Sequence, residues 1–214
     1  MNKKTNIASL RQNYTRNELI EENVLKNPFL QFEKWFKEAI DSEILEPNAM
    51  CLSTVSNGKP SSRIVLLKGF DENGFVFFTN YKSHKGLDIE QNNHVAVNFF
   101  WAELERQVRI EGEIEKVSEE ESEEYFHQRP ISSQIGAWVS EQSNVIPNRE
   151  VLEKRQVELE AQYKDSIIPK PPHWGGYRVK PNKIEFWQGR PSRLHDRILF
   201  TNVENNWKIE RLSP

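Results

Sequence analysis

Apolar positions recur at three- and four-residue intervals between Pro28 and Leu45: Phe29, Phe32, Trp35, Phe36, Ala39 and Ile40. That spacing predicts a helix over 28–45 with one face in the core. From Ala49 the pattern changes to short apolar runs. Residues 49–56 and 62–69 read as strands joined by a turn at Asn57-Gly58-Lys59-Pro60, and Asp71-Glu72-Asn73-Gly74 turns into a third run, 75–79. The three runs are expected to form an antiparallel meander. A short helix is expected over 83–91 and a strand over 95–101. In 106–117, Val108, Ile110 and Gly112 alternate with Arg109, Glu111 and Glu113, the period of a half-exposed strand.

Ser118-Glu119-Glu120-Glu121 carries the signature of a helix start, and Pro130 stops that helix at Arg129. A second charged helix is expected over 148–163. Lys170-Pro171-Pro172 reads as a stiff linker, followed by four strands at 175–180, 183–188, 193–200 and 207–212. Strands fall in two groups, with helices before and between them and no regular strand–helix alternation. The expected class is α+β, with an antiparallel sheet closed as a small barrel.

Composition narrows the functional classes. The chain has 214 residues, 36% hydrophobic and 29% charged, so a highly charged surface must enclose a core rich in its 12 Phe and 6 Trp. A net charge of -3 gives no global basic field for nucleic acid. The single Cys51 excludes an internal disulfide and suits a reducing, cytoplasmic setting. No apolar run is long enough for a membrane span, and the first ten residues lack the apolar stretch of a secretory signal. No dinucleotide fingerprint, phosphate-binding loop or nucleophile elbow is present. Cys51, His94 and His173 have no companions at metal-ligand spacing, so no metal is expected.

Four clusters invite an anion. Read as a strand, Arg193-Leu194-His195-Asp196-Arg197 aims Arg193, His195 and Arg197 to one face, where three cationic groups need a counter-charge. An edge strand laced with salt bridges would look the same. Tyr125 and Arg129 share a helix face, and Ser132 and Ser133 follow; together they could hold a phosphate, or Arg129 could simply offset the helix C-terminus. Ser83-His84-Lys85-Gly86 at a helix start offers free N–H groups, a hydroxyl and a cation, or an ordinary cap. Arg63 and Lys68 bracket an apolar strand. A phosphorylated, flat, conjugated ligand would satisfy both the cations and the aromatics.

The run Ile184-Glu185-Phe186-Trp187-Gln188-Gly189, followed by Arg193 to Arg197, resembles the signature of the pyridoxamine 5'-phosphate oxidases. So do Arg63-Ile64-Val65-Leu66-Leu67-Lys68, Tyr125-Phe126-His127 with Arg129-Pro130, Ser133-Gln134-Ile135-Gly136-Ala137-Trp138 and Gln142-Ser143, from about Leu10 to the last residues. The resemblance implies an antiparallel split β-barrel with flanking helices that binds FMN in a homodimer. It implies a segment 1–27 that covers the site and a single FMN-binding domain over 28–214.

The FMN positions it implies are Arg63, Ile64, Val65, Leu66, Leu67, Lys68, Phe78, Thr79, His84, Lys85, Gln107, Gln142, Ser143, Trp187 and Arg197. Those for substrate are Arg11, Tyr14, Lys68, Tyr125, Arg129, Ser133, Arg193 and His195, the last two being the catalytic pair. The implied reaction oxidises pyridoxamine or pyridoxine 5'-phosphate to pyridoxal 5'-phosphate, with dioxygen as acceptor and hydrogen peroxide as product, plus ammonia from the amine. Another split-barrel flavin reductase, or a carrier of FMN or pyridoxal phosphate, are the competing readings. Two features stand apart. His84 replaces an Arg common in the family, and Arg63 and Lys68 differ in parity, so one strand could not aim both at one site without a bulge or an end.

Overall fold

A computed structural model describes residues 7, 10 and 12–214. Its helices are α1 (Pro28–Asp41), α2 (His84–Gln91), α3 (Glu119–Gln128), α4 (Ile131–Val139) and α5 (Glu150–Gln162). Its strands are β1 (Ala49–Ser56), β2 (Lys59–Leu66), β3 (Gly69–Asp71), β4 (Gly74–Asn80), β5 (His94–Trp101), β6 (Arg106–Lys116), β7 (Trp174–Gln188), β8 (Asp196–Val203) and β9 (Asn206–Arg211). The strand order is β2-β1-β5-β6-β7-β4-β3, with β8 pairing to β7 and β9 to β8. The β1–β2, β3–β4, β4–β7, β7–β8 and β8–β9 pairs are antiparallel. The class is α+β with an antiparallel sheet, as the strand and helix pattern implied.

The chain divides into two compact units. One is built from the segment ending at Pro47, Asn98–Ile110 and Lys183–Pro214. Its core is aromatic: Phe32 lies 5.1 Å from Phe99, and Trp35 meets Phe186 edge-on at 5.2 Å. The Arg106 guanidinium lies over the Trp35 ring at 4.4 Å, gives Nε to Gln188 Oε1 and pairs with Glu38, so this buried charge is compensated.

The other unit comprises Asn48–Val97 and Glu111–Asn182. Met50, Leu52, Phe75, Phe77 and Val179 are buried in it. A second cluster joins Phe126, Ile135, Val139, Ile168 and Trp174.

The local signals hold where caps and turns are strong. Ser83 accepts from Gly86 N at the start of α2, and Ser118 accepts from Glu121 N at the start of α3. Several expectations are corrected. Helix α1 stops at Asp41, short of 45, because Glu43 and Glu46 take φ of 54° and 51° and Leu45 faces solvent. The first turn is only Asn57-Gly58, both at positive φ, the two-residue hairpin geometry. Lys59 and Pro60 already pair in β2, which tolerates the proline because it is an edge strand.

The third run does not extend a meander: β4 pairs with β3 and β7. Helix α4 is an addition to the expected elements: its Ser-Ser start has no side-chain cap, and Gly136 is a weak helix former. Lys170-Pro171-Pro172 is not a linker. Lys170 is buried, its Nζ bonded to Glu119 and to the Trp174 carbonyl. The two strands expected over 175–188 are one, β7, which runs through Pro181.

The largest correction concerns Arg193 and His195. Pro191–Arg193 form a 3-10 turn in which Ser192 and Arg193 take φ of 57° and 64°, and β8 begins only at Asp196. The alternation argument therefore does not apply to them.

Helix α2 lies tight against the chain before it. A Cβ on Gly86 would run into the backbone carbonyl of Tyr81, whereas one on Gly136 in α4 would meet nothing within 4 Å. Gly86→Ala should lower stability by about 1–3 kcal/mol, and Gly136→Ala should raise it by up to about 1 kcal/mol. Urea unfolding of the two variants against the parent checks both signs.

Candidate functional site

Within the unit of Asn48–Val97 and Glu111–Asn182, a cavity of about 820 Å³ gathers most of the expected positions. Arg63, Ile64, Val65, Leu66, Lys68, Phe78, Thr79, His84, Lys85, Tyr125, Arg129, Ser133, Gln142 and Ser143 all line it. Leu67 does not: it is buried beneath, its N–H given to Asn48 O. The parity conflict between Arg63 and Lys68 disappears because β2 ends at Leu66, and Lys68 follows that end with its N–H on Val76 O.

The cations of this cavity differ in how they are held. Arg63 is braced by Thr54 Oγ1 and Ser61 Oγ, both at 2.8 Å, with Asp88 at 3.5 Å. Lys85, in the first turn of α2, is only 8% exposed. Its Nζ donates to Gln142 Oε1 at 2.8 Å, Thr79 Oγ1 at 3.1 Å and Ser83 Oγ at 3.2 Å, none of them charged. Burial, helped by the Arg63 charge, pulls its pKa down to about 8.

Arg129 caps α3 with its guanidinium 4.7 Å from the Trp174 ring and 5.7 Å from Phe126. Its Nη1 is buried without a hydrogen-bond partner, and burial lowers its pKa. Tyr125 stacks on Phe78 at 4.0 Å, giving the cavity a flat aromatic wall. Ser133 sits in the first turn of α4, where the helix dipole favours an anion. Among the described residues, no Asp or Glu lines the cavity.

His84 is more exposed. Its backbone N–H donates to Ser143 Oγ at 3.1 Å, while its ring lies 3.7 Å from Asp88.

In the other unit, a cavity of about 540 Å³ is lined by Tyr14, Arg190, Arg193 and His195, among others. Arg190 N donates to His195 Nδ1 at 3.1 Å, which leaves Nε2 to carry the proton of the neutral ring. Burial and the Arg193 charge lower the His195 pKa, against the pull of Asp196. The His195 ring lies 4.6 Å from Trp187, and Tyr14 meets both rings edge-on. Arg197 is engaged by Glu185. Gln107 is half-buried on β6 and lines neither cavity. Arg11 lies outside the described residues.

Sequence reasoning missed Asp88, Trp174 and Arg190. Asp88 was findable, four residues after His84 on one helix face. Trp174 reads as core from the sequence, and nothing there shows it under a guanidinium.

A family model described as pyridoxamine 5'-phosphate oxidase matches residues 36–163. A second, described as the pyridoxine 5'-phosphate oxidase C-terminal dimerisation region, matches residues 174–214. The chain belongs to the pyridoxamine 5'-phosphate oxidase family. Its relatives include the pyridoxine/pyridoxamine 5'-phosphate oxidase of Burkholderia mallei, 58% identical over 98% of this chain and 100% of that one. The enzyme of the same name from Nostoc punctiforme is 59% identical over 97% and 98% of the two chains.

Among solved structures, PhzG from Burkholderia lata 383, in complex with tetrahydrophenazine-1-carboxylic acid, aligns with a TM-score of 0.87 at 28% identity over 92% and 98% of the chains. A pyridoxamine 5'-phosphate oxidase-related, FMN-binding protein from Nostoc punctiforme aligns at 0.69 and 17% identity, covering 86% and 97%, which supports the fold alone. The fold class is thus the antiparallel split barrel of this family, whose members are oxidoreductases. Among the described residues, no helix is long and apolar enough to cross a membrane.

Any anion held by Lys85 would bind in a pH-dependent way. A phosphate monoester is already dianionic above pH 7, its second pKa being about 6, so any change on the alkaline side comes from the protein. The Lys85 ammonium is present below about 8 and is lost above it, unless a bound anion holds the proton. The dissociation constant of phenyl phosphate should therefore rise severalfold from pH 7 to 9.5. Lys85→Arg, which stays charged throughout, should be nearly flat. Titration calorimetry at both pH values decides, and an equal rise in the two proteins would detach Lys85 from the anion.

Proposed function

We propose that this chain is an FMN-dependent oxidase of pyridoxamine and pyridoxine 5'-phosphate, yielding pyridoxal 5'-phosphate and hydrogen peroxide, with ammonia released from the amine. The observation that carries this reading is a cavity with Arg63, Lys68, Lys85 and Arg129 in its lining, no carboxylate there among the described residues, and an aromatic wall at Phe78 and Tyr125. Those residues fit FMN and a phosphorylated pyridine. The orphaned Arg129 Nη1 and the Lys85 ammonium, which meets only uncharged oxygens, lack an anionic partner among the described residues.

The assignment of roles follows that chemistry. Arg63, Lys85, Thr79, Gln142 and Ser143 would hold the FMN phosphate and ribityl chain, with His84 at the rim. Ile64, Val65, Leu66, Phe78, Trp187 and Arg197 would contact the rest of the cofactor, while Leu67, buried beneath the cavity, and Gln107, outside both cavities, have no contact of this kind in view. Lys68, Tyr125, Arg129 and Ser133 would grip the substrate phosphate as a fixed handle. When bound, FMN supplies the redox chemistry, and dioxygen restores it.

The chain's own task is orientation and charge. Arg193 would fix the substrate ring, and His195 has its protonated Nε2 available because Nδ1 is committed to Arg190 N. Tyr14, against Trp187 and His195, would exclude water from these two rings. The dimerisation-region match at 174–214 supports a homodimer, with the flavin bound where two copies meet. The lone Cys51 keeps the cytoplasm as the expected setting.

PhzG, bound to a tetrahydrophenazine carboxylic acid, offers the other reading. The phosphate-seeking set at Lys68, Tyr125, Arg129 and Ser133 favours the phosphorylated substrate, as do the relatives at 58–59% identity.

The test is turnover of pyridoxamine 5'-phosphate under air by the FMN-loaded protein, followed as peroxide and pyridoxal 5'-phosphate. Oxidation of a tetrahydrophenazine carboxylate without that turnover would transfer the chain to the PhzG reading. Arg129→Ala should raise KM at least about tenfold with kcat within about threefold, because the phosphate charge does not change in the reaction. Arg193→Ala and His195→Ala should each cost about 2–4 kcal/mol in kcat/KM while FMN stays bound. Normal kinetics in both would remove them from the catalytic role.

A further inference from the structure

Glu185 has no part in the roles above, yet it is among the most enclosed carboxylates of its unit, its side chain 8% exposed on β7. A carboxylate that far from water needs partners. Arg197 supplies a two-pronged one, Nε to Oε1 at 2.7 Å and Nη2 to Oε2 at 3.0 Å, and Arg109 adds Nη1 to Oε2 at 3.2 Å. Strand register explains the meeting. Arg197 pairs with Trp187 across β7 and β8, and Glu185 lies two residues from Trp187, on the same face.

The far edge of Arg197 is fixed as well. Its Nη1 donates to Ser213 O at 2.9 Å, and Leu212 N returns a bond to Arg197 O at 2.9 Å. Three of the five guanidinium N–H groups are thus committed, and the plane cannot turn without breaking two charge-assisted bonds. The two N–H groups left over have a set direction. Arg129 is the opposite case, a guanidinium lying on aromatic faces with an unspent donor. One arrangement leaves its field unopposed for a phosphate; in the other the Glu185 carboxylate offsets the field and fixes the direction.

We propose that Glu185 is a positioning residue for the flavin, acting through Arg197 by fixing the guanidinium plane so that its two remaining N–H groups meet the cofactor. This rests on the reading of Arg197 as a flavin contact. The test measures FMN dissociation constants on the full-length apoprotein by quenching of flavin fluorescence, for Glu185→Gln, Arg197→Ala and the double variant. Glu185→Gln keeps the volume and an acceptor oxygen but removes the charge. It should weaken FMN binding about tenfold, the scale on which a partner that orients a ligand-contacting group acts. In the Arg197→Ala background the same change should have no further effect.

Glu185→Asp, which keeps the charge one methylene short, should recover part of the affinity, and it carries the comparison if Glu185→Gln does not fold. The visible circular dichroism of the bound flavin should shift in Glu185→Gln and return toward the parent in Glu185→Asp. An unchanged constant in a folded Glu185→Gln protein would overturn the inference, and so would full additivity with Arg197→Ala. If Arg197→Ala alone left FMN affinity intact, the flavin-contact reading of Arg197 would fall, and the role of Glu185 with it.

Discussion

Lys85 donates from one ammonium to a hydroxyl at Thr79, a hydroxyl at Ser83 and the amide oxygen of Gln142, and to no carboxylate. Neutral dipoles compensate a desolvated cation only in part, which is why its pKa falls. The local architecture serves that contact. Ser83 both caps α2 and faces the ammonium, and Gly86 lets the helix press on the Tyr81 backbone. Such an arrangement costs folding free energy that a bound anion returns, because a ligand that binds only the native state stabilises it by mass action. An anion in this cavity would supply the counter-charge that the Lys85 surroundings lack among the described residues.

Pairing separates the arginines of this protein more clearly than position does. Arg106 with Glu38, Arg211 with Glu21 and Asp196, and Arg197 with Glu185 all have carboxylate partners. Arg129 has aromatic faces instead, and Arg63 an intermediate arrangement in which two hydroxyls lie nearer than Asp88. A buried guanidinium left without a carboxylate keeps its field for an incoming ligand, at the cost of desolvation. In this chain that distinction divides groups suited to gripping a dianionic phosphate from groups suited to giving directed hydrogen bonds.

What the sequence discloses follows the range of the interactions involved. The caps at Ser83 and Ser118 are local and legible, and so is a turn at Asn57-Gly58, although its reach over Lys59 and Pro60 is overread. Helix α4 is not legible: its hydrophobic face acquires meaning only against Phe126 and Trp174. Lys170 reads as part of a proline-rich linker until Glu119 and the Trp174 carbonyl are brought to it from elsewhere. Arg193 to Arg197 look like an alternating strand, because nothing in their spacing shows the positive φ of Ser192 and Arg193. Charge and spacing single out the candidate anion-binding clusters but explain them equally well as a cap, a helix-end cation or a salt-bridged strand, and only motif resemblance assigns them to FMN or substrate. Pairing, and hence the difference between Arg129 and Arg197, is invisible in a linear chain.

His84 brings these strands together. It stands where the family commonly carries an arginine, and a titratable ring there looked like a weakened phosphate grip. The structure shows that the connection from this position to Ser143 is made by the backbone N–H, which any residue but proline supplies. The ring instead turns toward Asp88, one helical turn on, whose carboxylate already accepts from Thr54 Oγ1 and faces Arg63. The substitution therefore leaves the link between α2 and Ser143 in place and trades one rim charge for a contact with the acid that braces Arg63. In the proposed site the grip on an anion would rest on Arg63, Lys68, Lys85 and Arg129, and burial brings the Lys85 ammonium within reach of ordinary pH.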